Sequence, residues 1–522
     1  PPRSTLFPYT TLFRSEERMR NHIRANFPLE KRLISISDAK GAFAKAQQPY
    51  KVEILKDLEK NGEKKVSIYQ HGRFVDLCKG PHLDSTGEID LQSFKLSRIA
   101  GAYWKGNEKN KMLQRIYGIA FSNKKELQEY EKKLQTIEER DHRRLGKIMD
   151  LVSINKDIGP GLILWHPKGA KIRSLIENFW KEEHEQRGYE YVYSPHIGKA
   201  ELWKKSGHLQ FYKDDMYGPM TIDNIEYRIK PMNCPFHVQI YRSKIRSYKD
   251  LPVRYSELGT VYRYEREGTL HGLLRVRGFT QDDAHIFCRP DQLEREIQGV
   301  VDLAIFMLKS FGFTDYKIEL SVRDPKHKEK YLGSDEGWKQ AEAALEQALK
   351  SKKLDYKRSE GEAVFYAPKI DIKLVDSLGR QWQGPTTQVD FNLPEKFDIH
   401  YIDERGKKQR VFMIHRTVLG AMERFLGNLI EHYGGNFPLW LAPTQIKVIS
   451  VSDKYHKYAT GINDKMKKEG FRSEIDNREL SVGKKISEAI KQKIPYLVII
   501  GEKEKTSKKL AIRERGKKKI ST

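Results

Sequence analysis

The residue types best suited to chemistry gather in Leu251 to Cys288, LPVRYSELGTVYRYEREGTLHGLLRVRGFTQDDAHIFC. The stretch reads as two extended runs rich in Val, Tyr, Leu and Phe, joined by a polar, Gly-containing loop from Glu265 to Gly272. Period-2 alternation puts Arg263 with Glu265 on one face of the first run, and Phe279, Gln281, Asp283 and His285 on one face of the second. A structural sheet would fill such a face with aliphatic side chains. A guanidinium, a ring, an amide, a carboxylate and an imidazole in a row read instead as a platform that binds a polar ligand. Three metal-ligand candidates stand out along the chain: Cys234 in KPMNCPFHVQIY, His285 in DDAHIF and His415 in MIHR. Their separations, 51 and 130 residues, match no short metal-binding pattern. Cys78-x-x-x-His82 beside Asp76 is half a metal site at most, or a turn marked by Gly80-Pro81 with an incidental Cys and His.

Several elements must position these residues. Ile172, Leu175, Ile176, Phe179 and Trp180 recur at the spacing of a long amphipathic helix that ends at Gly188 and is followed by YEYVYSPHI. Val418, Met422, Phe425, Leu426, Leu429 and Ile430 predict a helical core face, with Gly420 and Arg424 one turn apart on the other side. Residues 124–150 form a charged helical linker with Leu127, Tyr130, Leu134 and Ile137 along one stripe. From about Pro443, strand-like and helical runs alternate (IKVISVS, Lys454 to Lys468, FRSEID, a helix from Val482, PYLVII), which predicts a small α/β domain with a largely parallel sheet.

A chain of 522 residues suggests three or four domains, each able to bury a core. Hydrophobic residues at 38% and charged residues at 32% exclude wholesale disorder. Ninety-six basic against seventy-one acidic residues leave a net charge of +25, which favours a polyanionic partner, nucleic acid before membrane surface. Residues 446–522 hold 21 Lys or Arg against 10 Asp or Glu, a net of +11, so the excess is concentrated in the tail. No apolar run approaches membrane-spanning length. Three scattered cysteines, Cys78, Cys234 and Cys288, make no disulfide framework and fit a reducing cytoplasm. Residues 1–15, PPRSTLFPYTTLFRS, lack an acidic residue, nearly repeat themselves and have no signal-peptide core, so they are expected to be foreign to the fold.

The segment 251–288 resembles motif 2 of class II aminoacyl-tRNA synthetases, and RVRGFTQDDAHIFC is close to the form found in threonyl-tRNA synthetases. Helix, strand and Pro195 resemble motif 1, which forms the dimer interface in that class. Gly420-Ala-Met-Glu-Arg424-Phe resembles motif 3. VSIYQHGRFVDLCKGPHL, GAYWKG and NKMLQRIYGIAF resemble the family's second editing domain, and the tail resembles its anticodon-binding domain. The resemblance runs from Glu16 to Thr522, and the chain is expected to be truncated at both ends relative to the family. The implied fold is α+β: a probable non-native tail at 1–15, a partial editing domain and linker at 16–140, an antiparallel-sheet catalytic domain at 141–442, and an α/β anticodon-binding domain at 443–522.

The resemblance also implies roles. Cys234, His285 and His415 each sit in a segment resembling a zinc-ligand segment, and one Cys with two His leaves the fourth position open. Arg263 is implied at the α-phosphate and carboxylate, Glu265 at the adenine amino group, Phe279 stacked on adenine, and Arg275 with Arg424 at the outer phosphates. Gln281, Asp283 and Tyr366 line the threonine pocket, with Asp283 taking the hydroxyl. Lys369, Gln383 and Thr386 complete the nucleotide side, and His208 corresponds to a His implicated in transfer to tRNA. Mg²⁺ accompanies ATP. Asp76, Cys78 and His82 belong to an editing site that in the family also uses an upstream His-x-x-x-His pair, absent between residue 16 and Cys78, so editing of seryl-tRNA is expected to be impaired. In the anticodon region Arg478 is followed by Glu479, where the family usually has Asn. Phe236 and Ala367 stand where the family has Gly; had those positions φ above zero, each side chain would cost about 1–2 kcal/mol. The implied protein is a cytoplasmic, homodimeric enzyme acting on L-threonine, ATP and tRNA(Thr), without a membrane. The alternatives are a prolyl- or seryl-type class II enzyme and a non-catalytic RNA-binding paralogue. The Cys/His/His trio argues against the prolyl type, the basic tail at the C-terminus against the seryl type, and the presence of Arg263 and Arg424 against the paralogue.

Overall fold

A computed structural model describes residues 9–375, 380–517 and 520–521. The chain divides into two compact units between Thr136 and Ile137, inside the linker helix Lys124–Arg140. The first unit pairs strands Glu30–Ser35, Lys65–His71 and Phe74–Leu77 antiparallel in that order. Helices Ile36–Lys45 and Pro49–Lys60 cover it through Ile36, Ala39, Phe43 and Leu55. A hairpin follows, Phe94–Tyr103 with Met112–Ala120. A helix runs from Tyr9 to Arg24, across the boundary expected at residue 15; residues 1–8 lie outside the described residues.

The second unit is built on an eight-stranded sheet: β1 (Glu190–Tyr191), β2 (Val253–Tyr262), β3 (Gly278–Cys288), β4 (Tyr316–Val322), β5 (Tyr356–Glu360), β6 (Lys369–Val375), β7 (Gln381–Asp390) and β8 (Phe412–Ala421), in the order β5-β4-β6-β7-β8-β3-β2-β1. The six central strands pair antiparallel. Only the two outer pairs, β4 with β5 and β2 with β1, are parallel. Alternation assigns the faces. Ala284, Ile286 and Cys288 of β3, Ile414 and Val418 of β8, and Ile370, Ile372 and Leu374 of β6 enter one core. They meet helices that include Pro167–Glu185, Leu293–Ser310 and Met422–Tyr433. Trp180 is wholly buried there, and a side chain of that size stabilises by roughly 3 kcal/mol. The opposite parity, carrying Gln281, Asp283 and His285, faces away from this core. Its lower end is closed by Phe287, Tyr255 and Met413 against helix Cys234–Arg242 and residues 393–401. Its upper end stays open.

Two sequence expectations change in this sheet. Val418 and Gly420 belong to β8 rather than to the helix, which begins at Met422. The buried Asp282 carboxylate accepts the N–H groups of Val418 (2.8 Å), Leu419 (3.0 Å) and Gly420 (2.7 Å), fixing a strand-to-helix turn at Gly420, where φ is +83°. Strand and helix present one continuous core face, which mimics helical spacing. Arg263 and Glu265 also do not share a strand face. β2 ends at Tyr262; Arg263 N still donates to Arg277 O (2.9 Å), but Glu265 N turns back onto Arg263 O (2.9 Å).

The tail forms an α/β sheet of five strands that is only half parallel, against the largely parallel one expected, because Ala511–Glu514 and Ile520–Ser521 close it as antiparallel strands. Ser473–Asp476, Ile446–Ser450 and Tyr496–Ile500 lie parallel, with Ala511–Glu514 antiparallel beside them. Arg515 donates to the carbonyls of Asn436 (3.1 Å) and Phe437 (2.8 Å), fastening this sheet to the catalytic block.

Candidate active site

The open upper face of the sheet is the floor of a cleft of about 440 Å³, a size suited to a nucleotide-sized ligand. Arg263, Phe279, Gln281, Asp283, His285, Tyr366, Lys369, Gln383, Thr386, His415 and Arg424 all line it, together with Cys234. The Arg263 guanidinium lies 5.2 Å over the Phe279 ring, and its Nε donates to Pro231 O (3.3 Å). Arg424 Nε donates to Leu274 O (3.0 Å). Burial, and behind it the charges of Arg263 and Arg275, pull Arg424 below the usual guanidinium range. Like charges that depress one another call for an anion among them. Glu265 and Arg275 are not on the cleft wall; they pair with each other on the loop above it (2.9 Å).

Three residues on the nucleotide side share one partner that the sequence reading missed. Asp371, buried and two residues from Lys369 on β6, meets Lys369 Nζ (2.7 Å), Thr386 Oγ1 (2.8 Å) and Gln383 Nε2 (3.2 Å). Gln388 was missed too, although it lies two residues past Thr386 on the same face of β7; it accepts the Tyr366 hydroxyl (2.7 Å). Asn233 donates to Asp283 Oδ2 (3.1 Å), and a Cβ at Gly259 would stand 2.5 Å from its amide. Only a glycine leaves room for Asn233 at that point. Burial raises the Asp283 carboxyl.

Cys234, His285 and His415, far apart in sequence, bring ligand atoms within 4.8 Å of one another in a buried cluster. His415 Nε2 meets Asp390 Oδ2 (2.9 Å). His285 Nδ1 meets His237 Nδ1 (2.8 Å), and His237 Nε2 meets Glu257 Oε2 (3.0 Å). If each carboxylate accepts an N–H, then His415 Nδ1 and His285 Nε2 are both bare lone pairs, facing each other at 3.1 Å. Two facing acceptors repel unless a cation lies beside them. Burial pushes the Cys234 thiol up and the His285 imidazole well down, so His285 is neutral and the thiol needs a Lewis acid to lose its proton. A Cys and two His whose outer nitrogens are held by carboxylates or a further His make a donor set that fits zinc. His237, Glu257 and Asp390 were not read from the sequence. His237, one helical turn from Cys234, was the one readable signal.

The class II core domain of tRNA synthetases (G, H, P, S and T) matches residues 219–433, an anticodon binding domain matches 445–522, and the threonyl and alanyl tRNA synthetase second additional domain matches 66–117. A threonine–tRNA ligase from Dehalococcoides mccartyi is 51% identical over 500 residues, 96% of this chain and 84% of the relative. The chain belongs to the threonine–tRNA ligase family. A second ligase of that name, from a Sulfurihydrogenibium species, is 50% identical over 97% of this chain and 78% of its own length. Among solved structures, the RNA binding domain of threonyl-tRNA synthetase from Cryptosporidium parvum superposes with a TM-score of 0.67 at 38% identity, covering 72% of this chain and 93% of that one.

Other residues singled out by likeness to threonine–tRNA ligases fall around the cleft or away from it. His208 stands behind the wall, 2% exposed, its ring 6.5 Å from that of Tyr366. Its Nδ1 meets Ser206 Oγ (2.7 Å) and its Nε2 has no hydrogen-bond partner among the described residues; burial, then the neighbouring His415, Lys396 and Arg263, lower its pKa to about 3. Neither Phe236 nor Ala367 has positive φ, so neither carries the backbone strain considered above. Phe236 packs on Trp203 at 5.7 Å. In the first unit His82 Nε2 meets Cys78 Sγ (3.1 Å), whereas Asp76 turns to Lys51 in an ion pair. In the tail Arg478 is held by Asp476 (2.6 Å) and Glu488 (2.7 Å), and Glu479 is exposed.

Proposed function

We propose that this chain performs the threonine–tRNA ligase reaction in the cleft described above: the carboxylate of L-threonine attacks the α-phosphate of ATP in line, pyrophosphate leaves, and the threonyl group then passes to the 3′ end of tRNA(Thr) with release of AMP. The observation that carries this reading is the meeting, on one sheet face, of a guanidinium cluster with the buried Cys/His/His set. Little covalent work falls to the protein, which positions the reactants and neutralises charge. Arg263 neutralises the α-phosphate and the attacking carboxylate. Phe279 stacks on adenine, Glu265 takes its amino group, and Arg275 and Arg424 hold the outer phosphates, to which Mg²⁺ is bound in solution. Asp371 ties Lys369, Gln383 and Thr386 into one unit on the nucleotide side. Asp283, steadied by Asn233, accepts the threonine hydroxyl, and Gln281 and Tyr366 close the pocket. His208 stands on the transfer side.

Threonine and valine are nearly isosteric, and an apolar pocket separates such a pair only about a hundredfold. A zinc ion held by Cys234, His285 and His415 supplies, when bound, a Lewis acid for the amino and hydroxyl groups together, which valine cannot satisfy. The test is ATP–pyrophosphate exchange with each amino acid. Threonine is expected to support it far better than valine, with serine between; exchange led by proline or serine, or none at all, would overturn the assignment.

The tail binds the anticodon arm of tRNA, largely through phosphates, so affinity is expected to fall steeply with salt. Since Arg478 is neutralised by Asp476 and Glu488, Arg478→Ala is expected to change tRNA binding less than removal of 446–522 does. Equal loss from the point substitution would show that those ion pairs open on binding. Two chains are proposed to pair through the motif 1 region that includes helix Pro167–Glu185. Among the described residues no helix is long and apolar enough to cross a membrane; the proposed compartment is the cytoplasm.

A further inference from the structure

His142 sits wholly buried at the start of the short helix His142–Ile148, outside every motif singled out above. Asp141, His142 and Glu431 bring three donor atoms within 4.8 Å of one another, yet the imidazole has no ligand atom to spare. Its Nε2 accepts the backbone N–H of Leu273 (3.0 Å), and its Nδ1 stands 2.7 Å from Glu431 Oε1. The first bond requires a lone pair on Nε2, so the proton is on Nδ1 and is donated to the carboxylate. The other Glu431 oxygen accepts from Arg380 Nη2 (2.6 Å). Asp141 is turned toward Arg143 (2.5 Å).

The backbone that His142 grips is the returning limb of the loop between β2 and β3. Leu273 and Leu274 are 2% and 3% exposed, anchoring an otherwise polar loop. The limb passes so close that a Cβ at Gly272, where φ is +50°, would lie 2.1 Å from His142 Nε2. A Cβ at Gly427 on helix Met422–Tyr433 would press on Leu274 Cδ2 at 2.9 Å and Leu273 Cβ at 3.2 Å, with His142 Cδ2 at 3.7 Å. The next carbonyl along, Leu274 O, accepts from Arg424 Nε (3.0 Å), and the residue after it is Arg275. One imidazole thus sets the height of the short stretch from which Arg424 is held and Arg275 projects.

We propose that His142 is a positioning residue for the ATP-phosphate guanidinium groups Arg424 and Arg275, acting through the Leu273–Leu274 backbone. The inference rests on the assignment of those arginines to the outer phosphates. Misplacing a positioned group costs between about ten- and a hundredfold. In ATP–pyrophosphate exchange, His142→Phe, which keeps a ring and removes both nitrogens, is expected to raise the KM for ATP about tenfold or more while the KM for threonine stays within about twofold, because Asp283, Gln281 and Tyr366 lie at the other end of the cleft. His142→Gln, whose amide offers N–H donors and a carbonyl acceptor, is expected to recover most of the loss. An unchanged ATP KM in His142→Phe, or equal rises for both substrates, overturns the inference. Should that variant not fold, Gly427→Ala, which crowds the same Leu273–Leu274 stretch, is held to the same ATP-selective criterion. Arg424→Ala is the control. If it leaves the ATP KM unchanged, the phosphate assignment falls and the inference with it; if it raises the ATP KM and neither Phe nor Ala variant does, only the inference falls.

Discussion

Cys234→Ala is expected to leave a folded protein that holds no zinc and shows no threonine-dependent ATP–pyrophosphate exchange above background. Metal content after dialysis and the exchange rate are the measurements. The effect should be large because the thiol would supply one of the three proposed protein ligands, all of them buried. Without it the facing nitrogens of His285 and His415, 3.1 Å apart, have no anionic partner for a cation among the ligands. His237→Ala should behave differently. It removes the hydrogen bond at His285 Nδ1, not a ligand, and loss of such an outer partner typically weakens metal affinity by about ten- to a hundredfold. Zinc should therefore be retained at high metal concentration and lost to a chelator faster than from the parent. Full exchange activity in metal-free Cys234→Ala would sink the zinc assignment.

Faces were more legible than elements. Period-2 reading put Phe279, Gln281, Asp283 and His285 together, and all four line the cleft. A one-residue error would have sent them into the helix-covered core with Ala284 and Ile286. The same logic reached Lys369, Gln383 and Thr386 only through family likeness. Asp371 and Gln388, each two residues from a named neighbour, were within its reach. What no local pattern carries is the pairing of distant polar groups. Glu257 with His237, Asp390 with His415 and His142 with Leu273 are set by which strands and helices meet, and nothing in the sequence near one partner specifies the other. The misreading at Val418 has a related cause. A strand running straight into a helix keeps one core face across the turn, so Val418, Met422 and Phe425 keep helical spacing although the backbone changes at Gly420. The carboxylate that forces the change, Asp282, lies in a strand 136 residues earlier.

Seryl-tRNA is expected to accumulate when this chain is offered serine, ATP and tRNA(Thr). Serine carries the amino and hydroxyl groups that the threonine pocket reads and lacks only a methyl, a difference worth about 1–3 kcal/mol in binding. The cleft is therefore expected to charge it at an appreciable rate, which would leave accuracy to hydrolysis elsewhere. The first unit offers Cys78 and His82 in contact, with the His82 ring set edge-on to that of Tyr69, centroids 4.3 Å apart, while Asp76 is committed to Lys51. The other histidines before them, His22 and His71, lie tilted against each other with ring centroids 5.5 Å apart, and against Phe27 (5.6 Å) and Phe74 (5.2 Å). Cys78 N bonds to Ser67 O, so His71 lies four residues further along that strand, roughly 13 Å away at the usual rise. Cys78 and His82 are the thiol and imidazole in contact here that could position and deprotonate water at the ester, and groups that act as a unit lose most of their rate when divided. The measurement is deacylation of preformed seryl-tRNA by the chain beside its Cys78→Ala variant. Slow hydrolysis, equal in the two, is the expected result; fast hydrolysis that the substitution abolishes would show that Cys78 and His82 suffice.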